Sequence, residues 1–349
     1  MIRQQYLDQR RFAISRFSYF TVKYLYRCLL ICQALVRFNL FWFQDLPLGV
    51  VHKLESCSRN FYWGDSDLGS GIHWMKWQYF TKPRCEGGVG IKEVLSWNKA
   101  FLLKWLWKLV LRPPSLWLAW AEGYLLNGES IWNVQAKATS SWVWSDILQV
   151  RDDLLLLCGD SATAHGLIEG WTVPGINKFC LKAAYDFFRV GAPGAKKIMV
   201  LWEPFALPKY SIVGWQAYHA KLATIDNLQK RGFHFANRCY LCYQEEESHS
   251  HLFFLCPFMR LLWRNMMIWI GVTRRPRSLR HELEWIFTHC KGNSLLSRLE
   301  RTVFIAIIYH GWIERNYRVF RSLERDVHTI CNQIQFEIMC RYYGRVTIE

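Results

Sequence analysis

Between Cys239 and Cys256 four soft metal-ligating side chains fall in the pattern C-x2-C-x8-H-x4-C: Cys239, Cys242, His251 and Cys256. Thiolate and imidazole are the donors Zn²⁺ prefers, and four of them with no carboxylate or open position suit a closed, structural site. Two cysteines separated by two residues can ligate one ion from a tight turn. His251 and Cys256 then reach back from the next segment, leaving Leu252, Phe253 and Phe254 free to pack beneath the ion. His249 is the alternative fourth ligand, ranked second to His251.

The rest of the composition sets the surroundings. The chain has 349 residues, 51% of them apolar, enough for two domains and a large core. Forty-four Lys and Arg against 28 Asp and Glu leave a net charge of +16, which favours polyanionic partners, nucleic acid first and an acidic membrane surface second. The 19 Trp, 16 Tyr and 22 Phe are core filler, and any that are exposed are also platforms for stacking bases. The remaining cysteines show no framework spacing, which points to buried thiols in a reducing, intracellular compartment, nuclear or cytoplasmic. No signal peptide is read in residues 1–16. The apolar tract Tyr24 to Phe43 is interrupted by Arg27, Gln33, Arg37 and Asn39, so it reads as a buried helix rather than a membrane span.

Periodicity predicts a mainly α protein in two parts, with the small CCHC module in the C-terminal part. Helices are expected over 18–43, from Val50 to Phe61, from Ser96 to a stop at Pro113-Pro114, and over 179–189. Asp65 to Gly71 reads as a Gly-rich loop, Cys85 to Gly90 as a plain turn, and 159–175 as a loop-rich linker. Gly191-Ala192-Pro193-Gly194 marks a boundary. An amphipathic segment follows over 212–222, then a helix N-capped by Thr224 and closed by Gly232. Beyond Cys256 helices are expected over 258–270, 281–288 and 297–320. Domains are accordingly assigned to 1–190 (helical, Trp-rich), 191–270 (zinc-binding) and 271–349 (basic, helical). Asp152-Asp153 resembles a polymerase metal-binding pair, but no aromatic precedes it and no hairpin pattern flanks it. The expectation is a solvated helix end.

Several ordered segments carry a resemblance. Leu46-Pro47 with Phe61-Tyr62-Trp63-Gly64 resembles "LP…FLWG", and Glu86 to Gly90 followed by Trp97-Asn98-Lys99-Ala100 resembles "EGGLG…WNKA". Leu201-Trp202, Pro208-Lys209, Trp215, Leu222, Thr224, Leu228 and Arg231-Gly232 lead into the "CxxC…HLFFxC" core. Trp312, Glu314-Arg315-Asn316 and Arg318 to Phe320 resemble "W…ERNxRxF". Together these are similar to the C-terminal part of plant LINE-type (non-LTR) retrotransposon reverse transcriptases, including their zinc-binding domain. The resemblance implies zinc and nucleic-acid binding. The chain departs from the family's full-length pattern in that no endonuclease, polymerase or RNase H catalytic motif is read in it, so no enzymatic activity is expected of this chain.

Within the zinc segment Glu245-Glu246-Glu247 oppose direct phosphate contact, so the expected nucleic-acid contacts lie on its flanks. They are Lys230, Arg231 and Arg238 before the site, and Arg260 and Arg264 after it. Arg274, Arg275, Arg277 and Arg280 form a further cluster, read either as phosphate contacts or as a solvated loop. Tyr240 and Tyr243 either stack bases or cover the metal. The reading is therefore a zinc-ordered, nucleic-acid-binding chain with RNA or DNA as partner. A decayed retroelement fragment without activity and a host-adopted protein–protein adaptor using the Trp-rich surface of 97–144 are the rivals.

Overall fold

A computed structural model of the chain describes residues 30–31, 46–63, 73–189, 191, 194–234 and 236–346. The expected helix over 18–43, apart from residues 30–31, the loop Asp65 to Gly71, Gly64 of the aromatic motif, and Ala192-Pro193 lie outside the described residues. The chain divides into two compact units, one holding residues 30–60 and 91–193, the other residues 61–90 and 194–349. Among the described residues no helix is long and apolar enough to cross a membrane.

The first unit is built on helices. Helix α1 (Leu48–Trp63) contributes its first thirteen residues here and its last three to the second unit. Helix α2 (Val94–Leu111) is apolar on nearly every face, which suits a central element, and Ala100, Leu102, Leu103 and Leu106 are fully buried. It ends where Arg112 turns left-handed at φ 52°, just before the two prolines that cannot extend it. Around it pack α3 (Leu116–Ala121), α4 (Trp142–Cys158), α5 (Ser161–Gly170) and α6 (Leu181–Phe188). A two-residue antiparallel pair, β1 (Thr172–Val173) with β2 (Lys178–Phe179), links α5 to α6 and brings Thr172 opposite Phe179.

Two expectations are corrected here. The linker over 159–175 contains a ten-residue helix, with Asp160 as its cap: the carboxylate accepts the Thr163 N–H at 2.8 Å. Asp152 and Asp153 are not a solvated helix end but sit inside α4. Arg151 beside them is buried and donates to the Ile131 and Val134 carbonyls at 2.9 and 2.5 Å, pinning that loop to the helix. Its Nε bonds Asp152 at 2.8 Å, while Asp153 pairs with Lys99 at 2.8 Å. Each carboxylate is thus taken by its own cation.

The second unit centres on α7 (Pro208–Tyr218) and α11 (Leu295–Arg321). Between them in sequence come α8 (Ile225–Gln229), α9 (Pro257–Trp269) and α10 (Leu279–His289), and α12 (Val327–Val346) closes the order. Sequence periodicity had marked no helix over α12. A 3₁₀ segment, Lys196–Trp202, packs against α7 and α10.

The turn at Cys85 to Gly90 has its glycines for two different reasons. Gly87 adopts φ 90°, a region only glycine enters without strain. Gly88 has no room: a Cβ there would lie 1.9 Å from the Lys82 carbonyl oxygen. The turn in exchange offers the Gly87 carbonyl to the indole N–H of fully buried Trp215 at 2.8 Å. Trp215 stacks edge-on against Phe80, which meets Tyr62 in the same manner, so both resemblance motifs meet in one aromatic cluster.

Candidate metal centre

The four expected ligands converge. Cys239, Cys242, His251 and Cys256 present ligand atoms that all lie within 4.8 Å of one another, three of the residues buried and Cys242 half-buried. Cys239 Sγ is 3.9 Å from Cys256 Sγ, and Cys242 Sγ is 3.4 Å from His251 Nε2. Tetrahedral Zn²⁺ with Zn–S of about 2.3 Å and Zn–N of about 2.0 Å separates its ligand atoms by roughly 3.4 to 3.8 Å. The Cys3His donor set and these distances fit such an ion, whose chemistry there is to hold two chain segments together. His249 is not part of the cluster. Burial holds its imidazole below the usual histidine range, and its ring bonds the Ala217 backbone and lies against Phe253.

Local backbone geometry prepares the thiolates. The Leu241 and Cys242 N–H groups point at the Cys239 sulfur, and the Phe258 and Met259 N–H groups at the Cys256 sulfur. The second pair belongs to the first turn of α9, for which Cys256 is the cap and Pro257 the first residue. The hydrogen bond from Cys239 pulls the Cys256 thiol below its ordinary range and, together with burial, pushes Cys239 up. The turn itself closes through Tyr243 N–H to the Cys239 carbonyl at 2.8 Å and Cys239 N–H to the Glu245 carbonyl at 2.7 Å. Tyr243 takes φ 58° to make it.

Beneath the cluster Leu252, Phe253 and Phe254 are buried, as the spacing implied, in a π-helical turn spanning His251–Leu255. Phe254 stacks on Trp263 of α9, and Trp263 meets Phe304 of α11. Outside the cluster the Glu245 carboxylate lies 3.0 Å from His251 Nδ1, off the hydrogen-bonding direction but on the side that fixes which nitrogen faces the sulfurs.

The motifs of the sequence do not assign the contacts by which α11 supports the ligand-bearing turn. Arg318 donates to the Leu241 carbonyl at 3.1 Å and is itself held by Glu314 at 2.8 Å. Glu247, fully buried, accepts from Arg315 Nε at 2.9 Å and from the Ile225 N–H at 2.9 Å. The carboxylate thereby caps α8, a task expected of Thr224. The Thr224 side chain instead bonds Asp226 and makes no cap bond to the helix. Glu314, Arg315 and Arg318 were visible only as the "ERNxR" string, with no signal of what they hold.

The expected nucleic-acid residues are placed as follows. Arg231 lies over the Trp74 ring at 4.3 Å, and Lys230 pairs with Asp226 at 3.1 Å. Arg238 bonds the Tyr243 carbonyl at 2.7 Å. Tyr243 donates to Glu324 at 2.7 Å and meets Tyr240 edge-on, both rings half-buried. Arg274 grips buried Glu282 through both guanidinium nitrogens and lies over Trp285. Arg260, Arg264, Arg275, Arg277 and Arg280 are exposed, Arg260 bonding the Phe254 carbonyl at 3.3 Å.

Fold and site together define a mainly helical protein with a Cys3His metal-binding module. Residues 179–263 match the family described as zinc-binding in reverse transcriptase. Among curated proteins the chain is similar to a "Putative ribonuclease H protein" of Arabidopsis thaliana, 30% identical over 133 residues, 37% of this chain and 20% of the relative. It is also similar to an "Uncharacterized mitochondrial protein" of the same plant, 23% identical over 124 residues, 34% of this chain and 80% of that relative. The aligned part thus spans about a fifth of the first relative's length. No solved structure matches the chain. These matches support a chain derived from a reverse transcriptase of a retroelement.

Proposed function

We propose that this is the zinc-ordered, nucleic-acid-binding part of a plant LINE-type retrotransposon reverse transcriptase, and that it binds without catalysing. The observation that carries the reading is the Cys3His cluster clamped by α11, beside α9, whose outer face bears Arg260 and Arg264. One zinc ion orders the scaffold, and exposed arginines at 260, 264, 275, 277 and 280 meet the phosphate backbone. Arg231, Arg238 and Arg274 have protein partners and play a supporting part. Of the acidic stretch, Glu245 faces the histidine ligand and Glu247 faces Arg315, so these two serve the module rather than the nucleic acid.

Binding of a labelled oligonucleotide across a salt series tests this. Phosphate contacts make affinity fall steeply with salt, with a slope of about 0.7 per contact on single strands. The double variant Arg260→Gln with Arg264→Gln flattens that slope, and primer extension by the purified chain stays blank. Metal-dependent DNA synthesis, or binding indifferent to salt, overturns the proposal.

A further inference from the structure

The first unit carries an aromatic surface that the zinc-flank reading does not use. Trp117 and Trp120 of α3 and Tyr124 of the π-helical turn Glu122–Leu126 recur at helical spacing, while Leu118 and Ala121 between them and Leu126 after them are buried. Trp120 is 49% and Tyr124 79% exposed, and their rings lie 5.9 Å apart at 24°, stacked rather than edge-on. Next to this pair Trp117 meets Trp105 of α2 at 4.7 Å. Lys108 sits 4.3 Å from the Trp105 centroid and 5.6 Å from that of Trp117. Lys104, one turn earlier on α2, lies close enough that its charge, after burial, helps hold the Lys108 ammonium below the usual lysine range. Neither lysine has an acidic partner among the described residues, whereas Glu122 nearby is taken by Arg112 at 3.5 Å.

Large rings turned to water cost the folded chain solubility, and two lysines close together with no acidic partner among the described residues repel. Both features become favourable against a ligand that is flat, apolar on its faces and anionic along its edge. Unstacked bases on a phosphate backbone have that chemistry, and base stacking on aromatic rings tolerates any sequence. We infer that the Trp120 and Tyr124 rings stack the bases of single-stranded nucleic acid while Lys104 and Lys108 neutralise its phosphates. This surface lies in the other unit from the metal centre and is carried by observations independent of it.

The test is fluorescence anisotropy of the full chain with a labelled thymidylate strand of about 20 nucleotides, long enough for such grooves, beside the same length of duplex. Trp120→Ala and Tyr124→Ala each weaken single-strand binding by about tenfold, the range of one base-on-ring stack. Trp120→Phe retains it, and duplex binding does not move. Lys104→Gln with Lys108→Gln lowers the salt slope by about 1.4, two single-strand contacts. Wild-type single-strand affinity in both aromatic variants overturns the inference, as does a change only in sedimentation, which would make the face a contact between copies of the chain. The zinc-flank reading fails separately, when Arg260→Gln with Arg264→Gln leaves the salt slope unchanged.

Discussion

Arg318 donates to the Leu241 carbonyl at 3.1 Å, so the turn that presents Cys239 and Cys242 is tied to a helix that begins more than fifty residues later in the chain. The turn that offers two of the four metal-ligating side chains therefore also depends on a contact from α11.

The metal prediction follows directly. Purified chain is expected to carry one zinc by atomic emission, and Cys242→Ser and His251→Ala are each expected to lose it, with His249→Ala retaining it because that ring bonds Ala217 instead. A chelator should lower the melting temperature of the wild type and leave the Cys242→Ser protein unmoved. Zinc retained in His251→Ala would place the fourth ligand elsewhere.

Breaking the pair between Glu247 and Arg315 should cost more than most single changes. Both side chains are buried, and removing one partner leaves the other charge without compensation, a penalty of about 3–5 kcal/mol. Arg315→Leu is therefore expected to shift the urea midpoint strongly. A cost under about 1 kcal/mol, as exposed pairs show, would mean that water reaches the site.

Two glycines should respond in opposite senses. Gly88→Ala forces a Cβ to within 1.9 Å of a backbone oxygen and should destabilise by about 2 kcal/mol or more. Gly166, inside α5 with open space at its Cβ, should stabilise by about 0.5–1 kcal/mol on change to Ala. Thermal unfolding of the two variants against wild type decides both.

His310 gives a pH dependence. Burial pushes its imidazole down to about 4, against the attraction of Glu337 and with Lys209 and Arg325 acting in the same downward sense. Tyr210 Oη lies 3.4 Å from its Nε2. The unfolded chain takes up the proton first, so the contribution of His310 is full above about 6.5 and is lost as pH falls towards 4. The gap corresponds to about 3 kcal/mol. Stability curves of wild type and His310→Asn should converge across that window, and parallel curves would show that the ring protonates as easily folded as unfolded.

Much of this was legible in the residues. Cys239, Cys242, His251 and Cys256 announce themselves because ligation demands a donor type at a short, fixed spacing. Helices α2, α9, α10 and α11 follow from their apolar periodicity to within a few residues. Arg151, Glu247, Arg315 and Arg318 were not assignable, since each is a long polar side chain that sequence statistics place in water. Beside near neighbours such as Asp152 and Glu314, the partners that draw them inside lie between 17 and 78 residues away in the chain. No local pattern marks a cation that will be buried by a distant loop. Helix α5 was missed because Gly166 and Gly170 read as linker, although Asp160 caps it. Helix α12 was missed because polar residues interrupt its apolar positions.

Glu247 also separates two meanings of the word module. The family match ends at residue 263, yet the counter-ion of its buried carboxylate lies at position 315. A chain cut where the family likeness stops would keep every zinc ligand and strand an ionised group in its interior. The recognisable piece is therefore shorter than what must fold together, and excising it would remove half of its own electrostatic balance.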